Sequence, residues 1–263
     1  MENTENNIQK IISTDTQGDF LRDVSLWNLI GNSTVNQLKV LVESYHNDKS
    51  LGRNPKYPHV VFVGKKGSGR TTLAHAYANS MGASEVFRAE GSTLSLGGQD
   101  ISMYLEKGSQ FSAYLIQNSE RLSFYCNSVI VPALQQNVLI VRDPMNRKEA
   151  SREYFDRLMM FACEDATKIN PQIVNNVTLT CYVGQYSQSD ILQILNQRLD
   201  YLNWSIIENQ KVEILNTIKD VSNCDISLAI KILGWMYKSS RALNEETMTL
   251  KHLNMSLRLL NGR

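Results

Sequence analysis

The fold of this chain is decided by one stretch, which reads His59-Val60-Val61-Phe62-Val63-Gly64-Lys65-Lys66-Gly67-Ser68-Gly69-Arg70-Thr71-Thr72. An apolar strand runs into a loop with three glycines, and apolar residues at helical spacing follow the loop. Glycines let successive backbone N–H groups turn inward around phosphate oxygens, and the following helix points its positive end at them. We therefore predict a phosphate-binding loop between a strand and a helix.

This loop departs from the usual phosphate-binding pattern at one position. It matches G-x-x-x-x-G-K-S/T at every defined position except Arg70, where lysine is expected. Guanidinium is planar, bulkier and permanently charged, so the change keeps a cation at the phosphates but displaces its charge. Thr71 stands where a hydroxyl would bind the magnesium of the nucleotide. The predicted nucleotide-binding residues here are Gly64, Lys65, Lys66, Gly67, Ser68, Gly69, Arg70, Thr71 and Thr72.

Two alternatives concern the same loop. A plain glycine-rich turn that binds no ligand would need only the glycines and the flanking strand and helix. Lys65 and Lys66 either supplement the charge at the phosphates or are solvated loop lysines.

Composition favours a cytoplasmic α/β protein. The 263 residues suffice for one large or two modest domains with proper cores. The net charge of +1 gives no nucleic-acid signature, so DNA contact has no support from net charge. No apolar run approaches membrane-spanning length, and we expect no membrane partner. The four cysteines are widely spaced, which predicts neither a metal site nor a disulfide framework.

We divide the chain into three parts. Residues 1–18 are predicted to be a flexible N-terminal tail, residues 19–184 a P-loop α/β domain, and residues 185–263 a small all-helical lid domain. Predicted strands at 85–89, 111–116 and 138–141 alternate with helices. That alternation indicates a parallel sheet flanked by helices.

Several segments, in order and spacing, resemble the AAA+ ATPases, and most of all the motor subunit of RuvB-type Holliday-junction branch-migration helicases. The resemblance covers roughly residues 20–240 and includes only the P-loop and lid domains. It begins with residues 21–31, where it implies that Leu29 and Ile30 line the adenine pocket. It also implies that Tyr186, at the entrance to the lid domain, stacks on adenine.

The second nucleotide motif of this family departs from its pattern here. The family has Asp-Glu after an apolar strand, whereas this chain has Gln117 and Asn118. In the family the aspartate helps hold magnesium and the glutamate activates the attacking water. Amides have no useful basicity, and loss of a general base removes about 10²- to 10⁴-fold in rate. We therefore assign no catalytic residue.

The resemblance also implies two arginines that are missing. The arginine finger falls in a loop that aligns with residues 170–176, which contain no arginine. Where such fingers operate they contribute about 10³- to 10⁵-fold in rate. The sensor arginine of the lid aligns near Ser227, with Lys231 as the nearby cation. We expect that this chain completes no catalytic site of a neighbour through that loop.

A rival placement of the magnesium strand remains. The segment Val138-Leu139-Ile140-Val141-Arg142-Asp143 is also an apolar strand that ends in a carboxylate. In that placement Asp143 is the rival acid that would restore metal binding.

The leading hypothesis is a RuvB-like AAA+ protein with a degenerate nucleotide site. It would act as a non-hydrolysing adaptor or regulatory subunit that holds ATP or ADP, with any magnesium contacted through Thr71. Its partners would be copies of itself or another AAA+ subunit. One alternative is an active ATP-dependent DNA motor for branch migration or DNA remodelling, which would place it in DNA recombination. The second alternative is a scaffold that no longer binds nucleotide.

Overall fold

A parallel sheet organises the larger of two compact units. The computed structural model describes residues 24–31, 33–95, 101–142 and 149–260. The strands of this unit are β1 (Val60–Val63), β2 (Glu85–Glu90), β3 (Ser112–Gln117), β4 (Val138–Arg142), β5 (Glu149–Tyr154), β6 (Leu158–Cys163) and β7 (Leu179–Tyr182). Five of them form the sheet in the order β2-β3-β6-β1-β7, and each neighbouring pair is parallel. The predicted parallel α/β sheet is confirmed.

Strands β4 and β5 pair with each other as an antiparallel hairpin outside that sheet. The expectation that residues 138–141 belong to the parallel sheet is therefore wrong, although the strand itself is present. Only residues 143–148 separate the two strands, a length that suits antiparallel pairing, whereas parallel neighbours need a crossover of about a dozen residues or more. The central position of the sheet belongs instead to β6, a strand that the sequence did not reveal.

Helices flank the sheet within this unit. They are α1 (Ser33–Ser50), α2 (Arg70–Ser80), α3 (Gly91–Ser95), α4 (Ile101–Glu106), α5 (Phe124–Gln136) and α6 (Pro171–Asn176). Local chemistry explains where they begin and end. Ser123 caps α5 by accepting the N–H of Cys126, and Asn137 ends the same helix in the left-handed conformation.

The core of this unit is built from fully buried strands. Every residue of β1 and β6 is buried, as expected for parallel strands covered on both faces. Two polar side chains inside this core are hydrogen-bonded, and in the first the hydroxyl of Tyr77 donates to the carbonyl of Pro58 at 2.6 Å. His59 accepts the N–H of Met159 at Nδ1, and burial lowers the pKa of His59 to about 4. His59 is thus a neutral packing residue at neutral pH.

The second compact unit is helical. It comprises residues 185–260 of the described chain together with Gly67–Gly69 of the glycine loop. Its helices are α7 (Gln188–Tyr201), α8 (Glu208–Ser222), α9 (Ile226–Ala242) and α10 (Leu250–Leu260), and the two-residue strands β8 (Ser205–Ile206) and β9 (Thr247–Met248) pair beside them. A capping box of Ser187 and Asp190 starts α7. This unit has its own buried apolar cluster, so the predicted helical region after the sheet is confirmed.

The predicted tail, residues 1–18, lies outside the described residues. Within the described ranges, no helix is long and apolar enough to cross a membrane.

Candidate nucleotide site

The glycine loop joins β1 to α2 and takes backbone conformations that require glycine. The φ angle is +83° at Gly67 and +84° at Gly69, in the left-handed region that L side chains rarely adopt. The N–H of Gly64 donates to the carbonyl of Cys163 at 3.1 Å, which joins the start of the loop to the end of β6. Helix α2 begins at Arg70, so the positive end of the helix dipole lies at the end of the loop. This geometry is suited to an anion.

Arg70 presents a largely buried cationic group, one donor of which has no partner among the described residues. Its Nη2 lies 3.9 Å from Oε1 of Glu164, and its side chain is 13% exposed while that of Glu164 is 57% exposed. Its Nη1 is buried and has no hydrogen-bond partner among the described residues. A buried donor left without an acceptor costs about 1 to 3 kcal/mol, and more when it is charged. An anionic oxygen from a ligand would satisfy this nitrogen.

Thr71 is in contact with the residue that replaces the family's aspartate. Nε2 of Gln117 donates to Oγ1 of Thr71 at 2.7 Å. Gln117 is the last residue of β3, and Thr71 lies in the first turn of α2. The structure thus brings together two of the predicted site residues, although they are separated by 46 positions in the chain.

Asn118 is paired with a carboxylate on the neighbouring strand. Its Nδ2 donates to Oε2 of Glu90 at 2.6 Å. Glu90 is the last residue of β2 and lies opposite Gln117 in the register of β2 and β3. Asn118 itself takes the left-handed conformation, with φ of 48°, which asparagine tolerates better than most residues. The chain therefore carries a carboxylate at this edge of the sheet, on β2 instead of β3.

Charged side chains also lie near Cys163 at the end of β6. Burial raises the pKa of the Cys163 thiol to about 11; the carboxylate of Glu120 adds to this shift and the guanidinium of Arg70 opposes it. The thiol is neutral and unreactive at neutral pH. Oε2 of Glu120 is buried and has no hydrogen-bond partner in the described part of the chain. Glu120 and Arg70 thus act in opposite directions on the same thiol.

The other predicted residues of the larger unit and of the glycine loop differ in their exposure. Lys65 and Lys66 are exposed, whereas Leu29 and Ile30 are half-buried just after a short 3-10 helix, Leu26–Asn28. Thr72 is half-buried in the first turn of α2. Ser68 is buried, and its hydroxyl has no hydrogen-bond partner among the residues that the structure describes.

Four further predictions fall elsewhere. Tyr186 is a buried member of the apolar cluster in the helical unit, and Ser227 and Lys231 are exposed one turn apart on α9. The segment expected to be a finger loop is mostly helix α6, which Asn170 caps by accepting the N–H of Gln172. Asp143, the rival acid, lies outside the described residues.

Sequence reasoning missed three carboxylates: Glu90, Glu120 and Glu164. Each lies near the end of a strand of the parallel sheet or just beyond it, the edge where ligands of such sheets bind. The available signal for Glu90 was its place directly after the predicted strand 85–89. It could be used only after β2 was placed beside β3.

The parallel sheet, the glycine loop between β1 and α2, and the helical unit that follows are the features of a P-loop fold. No protein-family model matches the chain. Among curated proteins, the Holliday junction branch migration complex subunit RuvB of Neorickettsia sennetsu is 26% identical over 197 residues, which are 74% of this chain and 57% of that protein. The chain thus spans 57% of the length of the curated relative that it matches.

Solved structures of RuvB give the same result for the fold. The Thermotoga maritima RuvB Holliday junction branch migration motor superposes with a TM-score of 0.67 at 16% identity, covering 92% of this chain and 74% of that one. A single-residue mutant of the same protein gives a TM-score of 0.70 at 17% identity, with the same coverage. Over most of its length this chain is therefore similar in sequence to RuvB and has the fold of the RuvB structures.

Proposed function

We propose that this chain is a nucleotide-holding, non-hydrolysing AAA+ subunit that regulates or completes an oligomer. The observation that carries the proposal is the Arg70 guanidinium, a buried cation at the glycine loop whose Nη1 has no acceptor among the described residues. A folded chain keeps such a group when a ligand pairs with it, because the unpaired donor is costly. The β- and γ-phosphates of ATP, or the phosphates of ADP, supply acceptors of the right charge.

The absence of hydrolysis is supported by the amides at the end of β3. In AAA+ ATPases this edge carries an aspartate for magnesium and a glutamate that orients water, whereas this chain offers Gln117 and Asn118. Both amides already donate hydrogen bonds, to Thr71 and to Glu90. Neither can accept a proton from water at neutral pH, so general-base catalysis by these residues is not available.

An oligomeric role follows from the same comparison. AAA+ catalysis uses an arginine that one subunit supplies to its neighbour, and α6, which aligns with that region, contains no arginine. The chain can therefore occupy a place in a ring without completing its neighbour's site through α6. The curated relative is named as a subunit of a Holliday junction branch migration complex, and we propose an active AAA+ subunit or a second copy of this chain as the partner, with DNA as the shared substrate of such a complex.

One observation favours a second candidate function, an active ATP hydrolase that drives DNA remodelling. Glu90 places a carboxylate beside Asn118, across the strand pair from the usual position of the base. If Glu90 activates water, hydrolysis by the natural chain falls in a Glu90→Gln variant. The proposed non-hydrolysing role requires that this variant and the natural chain both lack turnover.

The Arg70→Met variant tests nucleotide binding. We expect its affinity for ATP and ADP to fall about 10- to 100-fold, because a hydrogen bond to a charged group contributes about 1.5 to 3 kcal/mol. The melting temperature of the free protein should stay equal or rise, since methionine keeps the aliphatic packing and removes an unpaired buried donor. Calorimetry measures the first effect, and thermal denaturation without nucleotide measures the second.

The matched control is Arg53→Met. Arg53 is exposed and forms an ion pair with Asp48, and such surface pairs contribute about 0 to 1 kcal/mol. Nucleotide affinity should be unchanged in this control. Equal affinity in the Arg70→Met variant and the natural chain would remove Arg70 from the binding site.

A further inference from the structure

We infer that the site holds its nucleotide without magnesium, an inference that rests on the proposed function. The fold implies magnesium, which prefers oxygen ligands, with one or two carboxylates beside the phosphates. In this chain the position of the liganding carboxylate is Gln117, and the candidate hydroxyl is that of Thr71. The chemistry of these two groups does not fit the ion, for the following reasons.

The hydroxyl of Thr71 is engaged on its oxygen. Nε2 of Gln117 donates to Oγ1 of Thr71 at 2.7 Å, and this bond takes up one of the two lone pairs of the hydroxyl oxygen. It also places amide hydrogens, which carry partial positive charge, where the cation would bind. The hydrogen of the hydroxyl remains available, so Thr71 can donate to a phosphate oxygen. In this arrangement Thr71 is a phosphate donor and not a metal ligand.

The neighbouring carboxylate is also engaged. Oε2 of Glu90 accepts a hydrogen bond from Asn118 at 2.6 Å. Across the described residues, no group of three histidine, cysteine, aspartate or glutamate side chains could hold a metal ion. The donor set at the end of β3 therefore favours an anion over a cation.

Without the metal, the protein must balance the additional phosphate charge, and Arg70 is suited to that task. Guanidinium stays charged at every physiological pH and presents a planar set of donors that can bind two phosphate oxygens at once, whereas an ammonium is a single point charge. The side chain of Arg70 is largely buried, so screening by water is reduced. The two departures from the family pattern are thus related, because the positive charge of Arg70 compensates for the magnesium that Gln117 no longer binds.

The test is calorimetric binding of ADP and of ATP to the natural chain, stripped of nucleotide, in magnesium and in EDTA. We expect affinity in EDTA to equal or exceed that in magnesium. A Gln117→Asp variant should bind at least about tenfold more tightly in magnesium than in EDTA, because it restores the carboxylate. Gln117→Asn is the matched control, since asparagine has the shape of aspartate without its charge, and it should bind no more tightly in magnesium than in EDTA.

The outcomes separate this inference from the proposed function. Natural-chain affinity that drops about tenfold or more in EDTA would overturn the metal-free site and leave nucleotide holding intact. No binding in either buffer would overturn both. A Gln117→Asp variant that responds to magnesium no more than Gln117→Asn does would also count against the inference, because position 117 would then not control the metal.

Discussion

A variant with the family's carboxylates restored, Glu90→Gln/Gln117→Asp/Asn118→Glu, is expected to hydrolyse ATP about 10²- to 10⁴-fold faster than the natural chain. The gain comes from a general base at position 118 and a magnesium ligand at position 117. Glu90 must change as well, because the side chains at 90 and 118 are in hydrogen-bond contact at 2.6 Å. Two carboxylates at that separation cannot both ionise.

Phosphate release in the presence of magnesium measures this gain, as a rise above the natural chain, whose phosphate release sets the lower limit of detection. The absolute rate is expected to stay low, since no arginine has been added at residues 170–176. The matched control is Glu90→Gln/Gln117→Asn/Asn118→Gln, which changes the same positions but leaves amides at each. Equal rates in the two triple variants would show that carboxylates at these positions do not limit hydrolysis.

Truncation of Phe161 to alanine is expected to lower the free energy of unfolding by about 3 to 5 kcal/mol. Phe161 is fully buried on β6, which lies at the centre of the sheet, paired with β3 on one side and β1 on the other. Its loss would remove buried apolar area and leave a cavity that the flanking strands cannot close. Chemical denaturation monitored by circular dichroism measures the change.

The chain offers a matched control in Phe124, which is 87% exposed at the start of α5. Phe124→Ala should change the unfolding free energy by no more than about 0.5 kcal/mol. A Phe161→Ala cost below about 1 kcal/mol would contradict the central position of β6.

The strand, the glycine loop and helix α2 were predictable because their signals are local. The apolar strand, the glycines and the apolar face of the helix all lie in one short stretch, residues 59–78. Strand β6 was not found for a physical reason: it reads Leu-Met-Met-Phe-Ala-Cys, fully buried, without alternation and without a β-branched residue. Such a run cannot be distinguished from a buried helix by its period.

Strand β4 illustrates a second limit. Residues 138–141 were correctly predicted to be extended, but the sequence pattern of a strand does not identify the strand with which it pairs. Its true neighbour, β5, reads Glu-Ala-Ser-Arg-Glu-Tyr and has few apolar residues to mark it. The rival assignment of the magnesium strand depended on that unknown pairing.

Some features of the candidate site were likewise predictable from local sequence, and others were not. The loop residues and the replaced positions 117 and 118 were found from motif spacing. The contacts of Gln117 with Thr71, Asn118 with Glu90 and Arg70 with Glu164 join residues from different elements of the fold. Such contacts can be identified only when the strand order is known. The chemical hypothesis for the site depends on these contacts as well as on the substitutions.

The most direct test of nucleotide holding without turnover combines two readings on one nucleotide-stripped sample of the natural chain. Calorimetry measures the binding of ATP and ADP, and phosphate release on the same sample measures hydrolysis. We expect both nucleotides to bind, with phosphate release equal to that of a buffer blank. Phosphate release that disappears in the Glu90→Gln variant would contradict the account and make Glu90 the catalytic base of an active ATPase.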